Sequence, residues 1–387
     1  MSEPLPHLEY VLVEHFGCIE RVALTLTRLH ALVGPNDSGK STVLDALRLL
    51  GGIADPTGRS LAGADVQRAV RRVGTPRQAE SLRLGFLAGR LGWAARLEPG
   101  NSPQFGWHRP TPRPDLAAEA QRIDQILGRT DSAGDAALRS FPRTHLSGSI
   151  PTAIWGDDGA ASPLPGSRLV RLDPDAMRAP AQILTDAEPL AFRDERGAGL
   201  AAVIDAIATR DHEAYSAINR QLTDLFPALK GIHLTSPGNG AKALGFRLVA
   251  GTVIPAEQAS EGMLYALAFL VLQHLEPVGL LLVEEPENGL HPARIREMVE
   301  LLRRLSERQQ VVMATHSPLV LNELEGEEIS VVTRPEGRGS RAMRLSDTPR
   351  YAERARAYRN GELWIAYCDG VTEHDLLEGI QRDWEAP

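Results

Sequence analysis

The segment GPNDSGKS, Gly34 to Ser41, constrains this chain more than any other. It satisfies the pattern GxxxxGK[ST], follows the apolar run Leu29 to Val33, and opens a stretch in which Val43, Leu44, Leu47 and Leu50 share one helical stripe. Strand, glycine-rich loop and helix in that order form a concave anion site. Glycine at 34 and 39 lets backbone N–H groups approach phosphate without a Cβ in the way, and the helix N-terminus adds partial positive charge. Lys40 would neutralise the β- and γ-phosphates of ATP, and Ser41 would ligate Mg²⁺ through its hydroxyl. The candidate nucleotide site is therefore Gly34, Pro35, Asn36, Asp37, Ser38, Gly39, Lys40, Ser41 and Thr42. A glycine-rich turn that binds nothing would not need Lys-Ser at the helix start.

A second feature is GLLLVEEPENGLHP, Gly279 to Pro292. Val278 and Leu280 to Val283 suit a central parallel strand buried on both faces. Two carboxylates stand at its C-terminal end, where α/β proteins place ligand sites. Glu284 is the candidate for Mg²⁺, directly or through water, and Glu285 for orienting and deprotonating the attacking water. Paired glutamates after an apolar run are by themselves more often a solvated strand end. The phosphate loop elsewhere in the chain reverses that weighting. A third feature, VVMATHSP, is a short apolar strand ending in His316, a candidate for reaching a γ-phosphate, with Thr315 and Ser317 beside it.

Composition sets bounds on the rest. At 387 residues, with 43% hydrophobic and 24% charged, the chain has ample material for a large core. A net charge of −8 argues against indiscriminate coating of nucleic acid. Two cysteines, Cys18 and Cys368, make no disulfide framework and have no metal-ligand spacing, which fits a reducing, cytoplasmic setting. No basic segment followed by an apolar run marks a signal peptide. The longest apolar stretch, Met263 to Leu272, falls well short of the ~20 residues that cross a bilayer and reads as a buried helix.

Strands are expected at Leu8 to Val13, Arg21 to Leu26 and Leu29 to Val33. A strand pair is expected near Ser81 to Leu97 and a helix near Leu116 to Leu127, within a Pro/Gly-dense middle region that reads as a lid. Those prolines would break a heptad repeat, so long coiled-coil arms are not expected. One helical stripe runs over Gly199 to Phe226, and strands follow at Gly231 to Thr235, Leu244 to Ala250 and Thr252 to Pro255. From Gln258, helix and strand alternate, as in a parallel sheet covered on both faces. Asp173, Asp175 and Asp211 to Glu213 read as turn and cap residues. Trp93, Trp107 and Trp155 read as filling of the lid's core rather than base-stacking platforms. Asp369, Glu373, His374 and Asp375 read as a solvated helix start rather than a metal site.

The order of these motifs resembles the ABC-type ATPases of the SMC/RecF group, most closely the OLD-like modules, over roughly Leu8 to Leu50 and Gly199 to Ser346. The resemblance implies an α/β fold: an ABC-type P-loop core with a mixed, largely parallel sheet flanked by helices, plus a lid. No family motif matches the lid, which rests on the Pro/Gly pattern; the chain is expected to divide into a first core part over 1–55, a lid over 56–198, a second core part over 199–346 and an extension over 347–387. In that family a signature loop caps the partner subunit's ATP. Its match is ASEGM, Ala259 to Met263, with Ser260 and Gly262 as the residues that meet the γ-phosphate. The resemblance also makes Asn288 to His291 the D-loop, His316 the switch histidine, and the segment around Phe16 the N-terminal strand motif. Asp37 stands where glycine is common, an exchange compatible with binding if its backbone is right-handed. The Q-loop glutamine has two candidates, Gln67 and Gln78.

The resemblance further implies a homodimer closed head to head over two ATPs, and work on DNA or with a separately encoded nuclease or toxin, in genome maintenance or defence against mobile elements. The segment after Ser346 is too short for the Toprim nuclease domain of full-length OLD proteins. Two rivals stand beside this reading. A transporter's ATPase subunit is opposed by the lid, the EEPENGLHP form and the C-terminal extension. A non-catalytic ATP-binding scaffold is opposed by Glu285 and His316.

Overall fold

The computed structural model describes residues 7–54, 82–88, 91–97, 104–108, 166–334 and 339–368. The chain divides into two compact units, one comprising Met1–Arg168, Val278–Leu282 and Ser306–Pro387, the other Leu169–Pro277 and Val283–Leu305. The division falls within two strands, β7 (Ser167–Val170) and β12 (Leu280–Glu284).

The first unit begins with β1 (Tyr10–Phe16) and β2 (Ile19–Thr25), an antiparallel hairpin with Phe16 opposite Ile19. The expected strand pair near residues 81–97 is present as β4 (Leu82–Ala88) and β5 (Leu91–Leu97). With β6 (Gln104–His108) they extend the hairpin into an antiparallel sheet ordered β2-β1-β4-β5-β6. A second sheet is built on β3 (Leu29–Val33), β13 (Gln310–Thr315), β14 (Ile329–Thr333) and β15 (Arg341–Arg344), and its order is β15-β14-β3-β13-β12-β7. Every residue of β3, β13 and β14 is buried, the pattern of parallel strands covered on both faces. α1 (Lys40–Ala54) follows β3 and buries Val43, Leu44, Leu47 and Leu50, the stripe read from sequence.

Two buried polar side chains fix this sheet. His30 lies in β3 with Nε2 2.9 Å from Ser330 Oγ on β14 and Nδ1 3.2 Å from Thr27 Oγ1. Burial, reinforced by the charge of Arg344, lowers its pKa to about 3, so the ring is neutral. Gln310 donates from Nε2 to the carbonyls of Leu8 and Thr27, both at 2.9 Å, and accepts from Leu8 N–H at 2.8 Å. The segment entering β1 is thereby tied to the start of β13.

The second unit contains α2 (Pro174–Arg178), β8 (Ala181–Gln182), α3 (Leu200–Arg210), α4 (His212–Leu225), β9 (Leu229–Gly238), β10 (Ala241–Leu248), β11 (Val253–Pro255), α5 (Glu261–Leu272) and α6 (Ile295–Ser306). The single helix expected over Gly199 to Phe226 is two helices. Asp211 breaks it: its side chain accepts Ala214 N–H at 2.9 Å and restarts the helix as an N-cap. Asp173 caps α2 in the same way, accepting from Asp175 and Ala176. α5 is buried from Met263 to Leu272 on all sides, so it is a core helix. α6 is two-faced, with Met298, Val299, Leu302 and Leu305 buried and Arg296, Glu297, Glu300 and Arg304 exposed. No described helix is long and apolar enough to cross a membrane.

Candidate nucleotide site

In the first unit, β3 delivers the chain into the loop at Gly34. A Cβ there would collide with the Val332 carbonyl, so the loop's entry lies against β14 and tolerates only glycine. Ser38 N–H donates to the Pro35 carbonyl at 3.3 Å, and α1 begins with Val43 N–H donating to Gly39 O at 2.9 Å. Lys40, the first residue of α1, is buried, and its ammonium donates to the carbonyls of Gly34 at 2.8 Å and Pro35 at 3.0 Å. The loop is thus closed on its own lysine. Ser38 Oγ is buried and has no hydrogen-bond partner among the described residues.

Asp37 differs from the right-handed expectation: its φ is +63°. Aspartate is one of the few residues whose short polar side chain tolerates this region, so it keeps a backbone that glycine would otherwise supply. Gly39 has φ +102°, and a Cβ on it would meet Ser340 Oγ and Cys18 Sγ. The Cys18 thiol donates to Thr42 Oγ1 at 3.3 Å and accepts from the Ser340 hydroxyl at 3.3 Å, while Ser340 N–H donates to Cys18 O at 2.9 Å. The turn of the β1–β2 hairpin therefore braces the start of α1, and Thr42, a candidate contact to nucleotide, also meets this brace.

His316 follows β13 directly and is exposed, whereas Thr315 before it is fully buried and accepts Ser317 N–H at 3.0 Å. The parallel register of β13 on β3 carries His316 and Gly34 off the same edge of the sheet.

The second unit holds the glutamate pair and the signature segment. Glu284 ends β12, and its Oε2 accepts from Arg171 Nε. Glu285 has φ +47°, a left-handed conformation that costs a residue with a Cβ about 1–2 kcal/mol. Its carbonyl accepts Asn288 N–H at 3.1 Å, the first turn of the segment assigned as D-loop. Ser260 caps α5, its Oγ accepting Met263 N–H at 3.4 Å. A Cβ on Gly262 would lie 2.7 Å from the Gly289 carbonyl, and one on Gly289 would strike the Tyr265 ring, so the start of α5 packs directly on the D-loop segment.

Arg171 is the residue that sequence reading missed. It follows the short strand β7, and nothing local ties it to a glutamate 113 positions away. The signal lies in topology, because β7 and β12 are neighbours in the sheet. Gln67, Gln78, Trp155, the helix near Leu116 to Leu127 and the stretch Asp369 to Asp375 lie outside the described residues, as do the side chains of Trp93 and Trp107.

The family described as "AAA domain, putative AbiEii toxin, Type IV TA system" matches residues 29–130 and 161–322, which include the phosphate loop, ASEGM, the glutamate pair and His316. The crystal structure of the SmcHead bound to the C-winged helix domain of ScpA superposes with TM-score 0.51 at 17% identity, covering 88% of this chain and 98% of that one. The Smc head domain of Pyrococcus furiosus, with an extended coiled coil and bound to the C-terminal domain of ScpA, superposes with TM-score 0.51 at 14% identity, covering 91% and 100%. No curated protein matches the chain. The chain belongs to this AAA-domain family and has the SMC-head fold, that of an ABC-type P-loop ATPase.

Proposed function

We propose that this protein is a Mg²⁺-dependent ATPase that switches by closing head to head on a second copy over ATP. The observation that carries the reading is the loop geometry: Lys40 Nζ lies on the carbonyls of Gly34 and Pro35, in a loop whose glycines admit no Cβ. Backbone amides approach phosphate closely in such a cradle, and the start of α1 favours an anion. Buried Ser38 Oγ is a further polar group without a hydrogen-bond partner among the described residues. Ser41 and Glu284 offer the hard oxygen donors that Mg²⁺ takes.

In this reading Gly34 to Thr42 hold the triphosphate, and Ser41 and Glu284 are the residues that would hold Mg²⁺, which when bound would supply neutralisation of the phosphate charge. Glu285 is the general base for water. Its left-handed backbone is the kind of local strain that persists at working positions. His316 contacts the γ-phosphate, and Ser260 and Gly262 cap the partner's ATP. The family description names a putative toxin of a toxin–antitoxin system; within this reading the chain works in genome maintenance or in defence against mobile elements, with a separately encoded nuclease or toxin as its effector. One observation favours a second reading, a nucleotide-binding scaffold without turnover: Arg171 already pairs with the carboxylate assigned to the metal.

The test is a Glu285→Gln variant with saturating Mg-ATP. Light scattering should report a stable dimer that the wild type forms only transiently. A monomer under those conditions sinks the dimer reading. Phosphate release from the wild type that is absent in Lys40→Ala separates enzyme from scaffold.

A further inference from the structure

Arg171 and Glu284 sit at the ends of neighbouring strands, β7 and β12. The guanidinium Nε donates to Glu284 Oε2, and Nη1 lies 3.6 Å from Glu195 Oε1. The backbone N–H of Arg171 also donates to the Glu195 carbonyl at 2.7 Å. The side chains of Arg171 and Glu284 are 28% and 20% exposed, so the pair is largely withdrawn from water. Arg171 is therefore anchored through both main chain and side chain before it reaches Glu284. A surface ion pair of ordinary kind has no such anchor and contributes little.

We propose that Arg171 is a positioning residue for the metal carboxylate. It holds Glu284 in one orientation, and its fixed positive charge keeps the affinity for the cation low. The inference rests on the reading of Glu284 as a Mg²⁺ ligand. A dication brought beside Glu284 feels the carboxylate's attraction less the guanidinium's repulsion, in surroundings that screen both weakly. A carboxylate held in one orientation offers its oxygens to a cation from a fixed direction, and the neighbouring guanidinium keeps that binding readily reversible. Arginine suits the task better than lysine because its planar fork sets direction as well as charge.

The experiment titrates Mn²⁺, as a spectroscopic stand-in for Mg²⁺, into full-length protein with a non-hydrolysable ATP analogue. Bound metal is read by electron paramagnetic resonance, and Mg-dependent turnover is measured in parallel. Arg171→Gln should bind Mn²⁺ about tenfold more tightly, from the lost repulsion, and turn over at least about tenfold more slowly, from the lost orientation. Arg171→Lys keeps the charge and loses the fork: its Mn²⁺ affinity should stay within about twofold of wild type while turnover still falls. A merely structural ion pair would shift the melting temperature and leave metal affinity alone. If both variants match wild type in Mn²⁺ affinity and turnover, the inference is overturned. If Arg171→Gln does not fold, unchanged turnover in Arg171→Lys overturns it as well. Wild-type protein that binds no Mn²⁺ with the analogue overturns the reading of Glu284 itself, and the inference with it.

Discussion

Thr315 stands opposite Val33 in the parallel pairing of β13 with β3. Both are fully buried, and the residues after them, His316 and Gly34, leave the sheet together. Two segments far apart in sequence are thus fixed to one edge by the ladder between β3 and β13. Changes in the loop should therefore alter ligand binding more than they alter the sheet.

Lys40→Ala removes the only cation in the loop GPNDSGKS. Charge-assisted contacts to phosphate of ~3 kcal/mol correspond to an ATP affinity loss of about 100-fold or more. Titration with a fluorescent ATP analogue measures it, and an unchanged circular dichroism spectrum shows that the fold persists.

Gly39→Ala forces a Cβ into the left-handed region and against Ser340 Oγ and Cys18 Sγ. The backbone strain alone is about 1–2 kcal/mol. The melting temperature should fall by several degrees and nucleotide binding should weaken with it. A Cys18→Ala change in the same chain relieves part of the collision and should restore part of the stability.

His30 makes stability depend on pH. Its folded pKa of about 3 lies below the ordinary 6.5, so below pH 6.5 the unfolded chain takes a proton that the folded chain refuses. This contribution is intact above pH 6.5 and is lost as pH falls toward 3, at up to about 1.4 kcal/mol per pH unit. Urea unfolding at pH 7, 6 and 5 should show wild type losing more stability than His30→Gln over that range. Parallel slopes for the two proteins would contradict the assignment.

Gln310→Ala leaves the Leu8 N–H and the Leu8 and Thr27 carbonyls without their side-chain partner. Buried backbone groups so abandoned cost about 1–3 kcal/mol each where water cannot reach them. The expected result is a loss of a few kcal/mol in chemical denaturation, with faster hydrogen exchange at the amide of Leu8.

Local pattern carried a large part of this protein. The run LHALV before GPNDSGKS, the stripe on α1 and the apolar runs of β12 and β13 declared their elements, because burial on both faces and helical periodicity leave marks in adjacent residues. Asp173 and Asp211 were legible as caps for a similar reason, since a cap bonds amides two or three positions away. The break at Asp211 was hidden by an apolar stripe that runs through it. The chain alone therefore determined a phosphate loop between strand and helix and the identity of the carboxylates and histidine offered with it. Tertiary structure decided what surrounds them: Cys18 and Ser340 against Gly39, Asp37 in the left-handed region, α5 packed on Gly289, and Arg171 on Glu284. Those partners lie up to hundreds of residues apart, and their meeting is fixed by strand order and register, which depend on how the whole sheet closes rather than on any one segment.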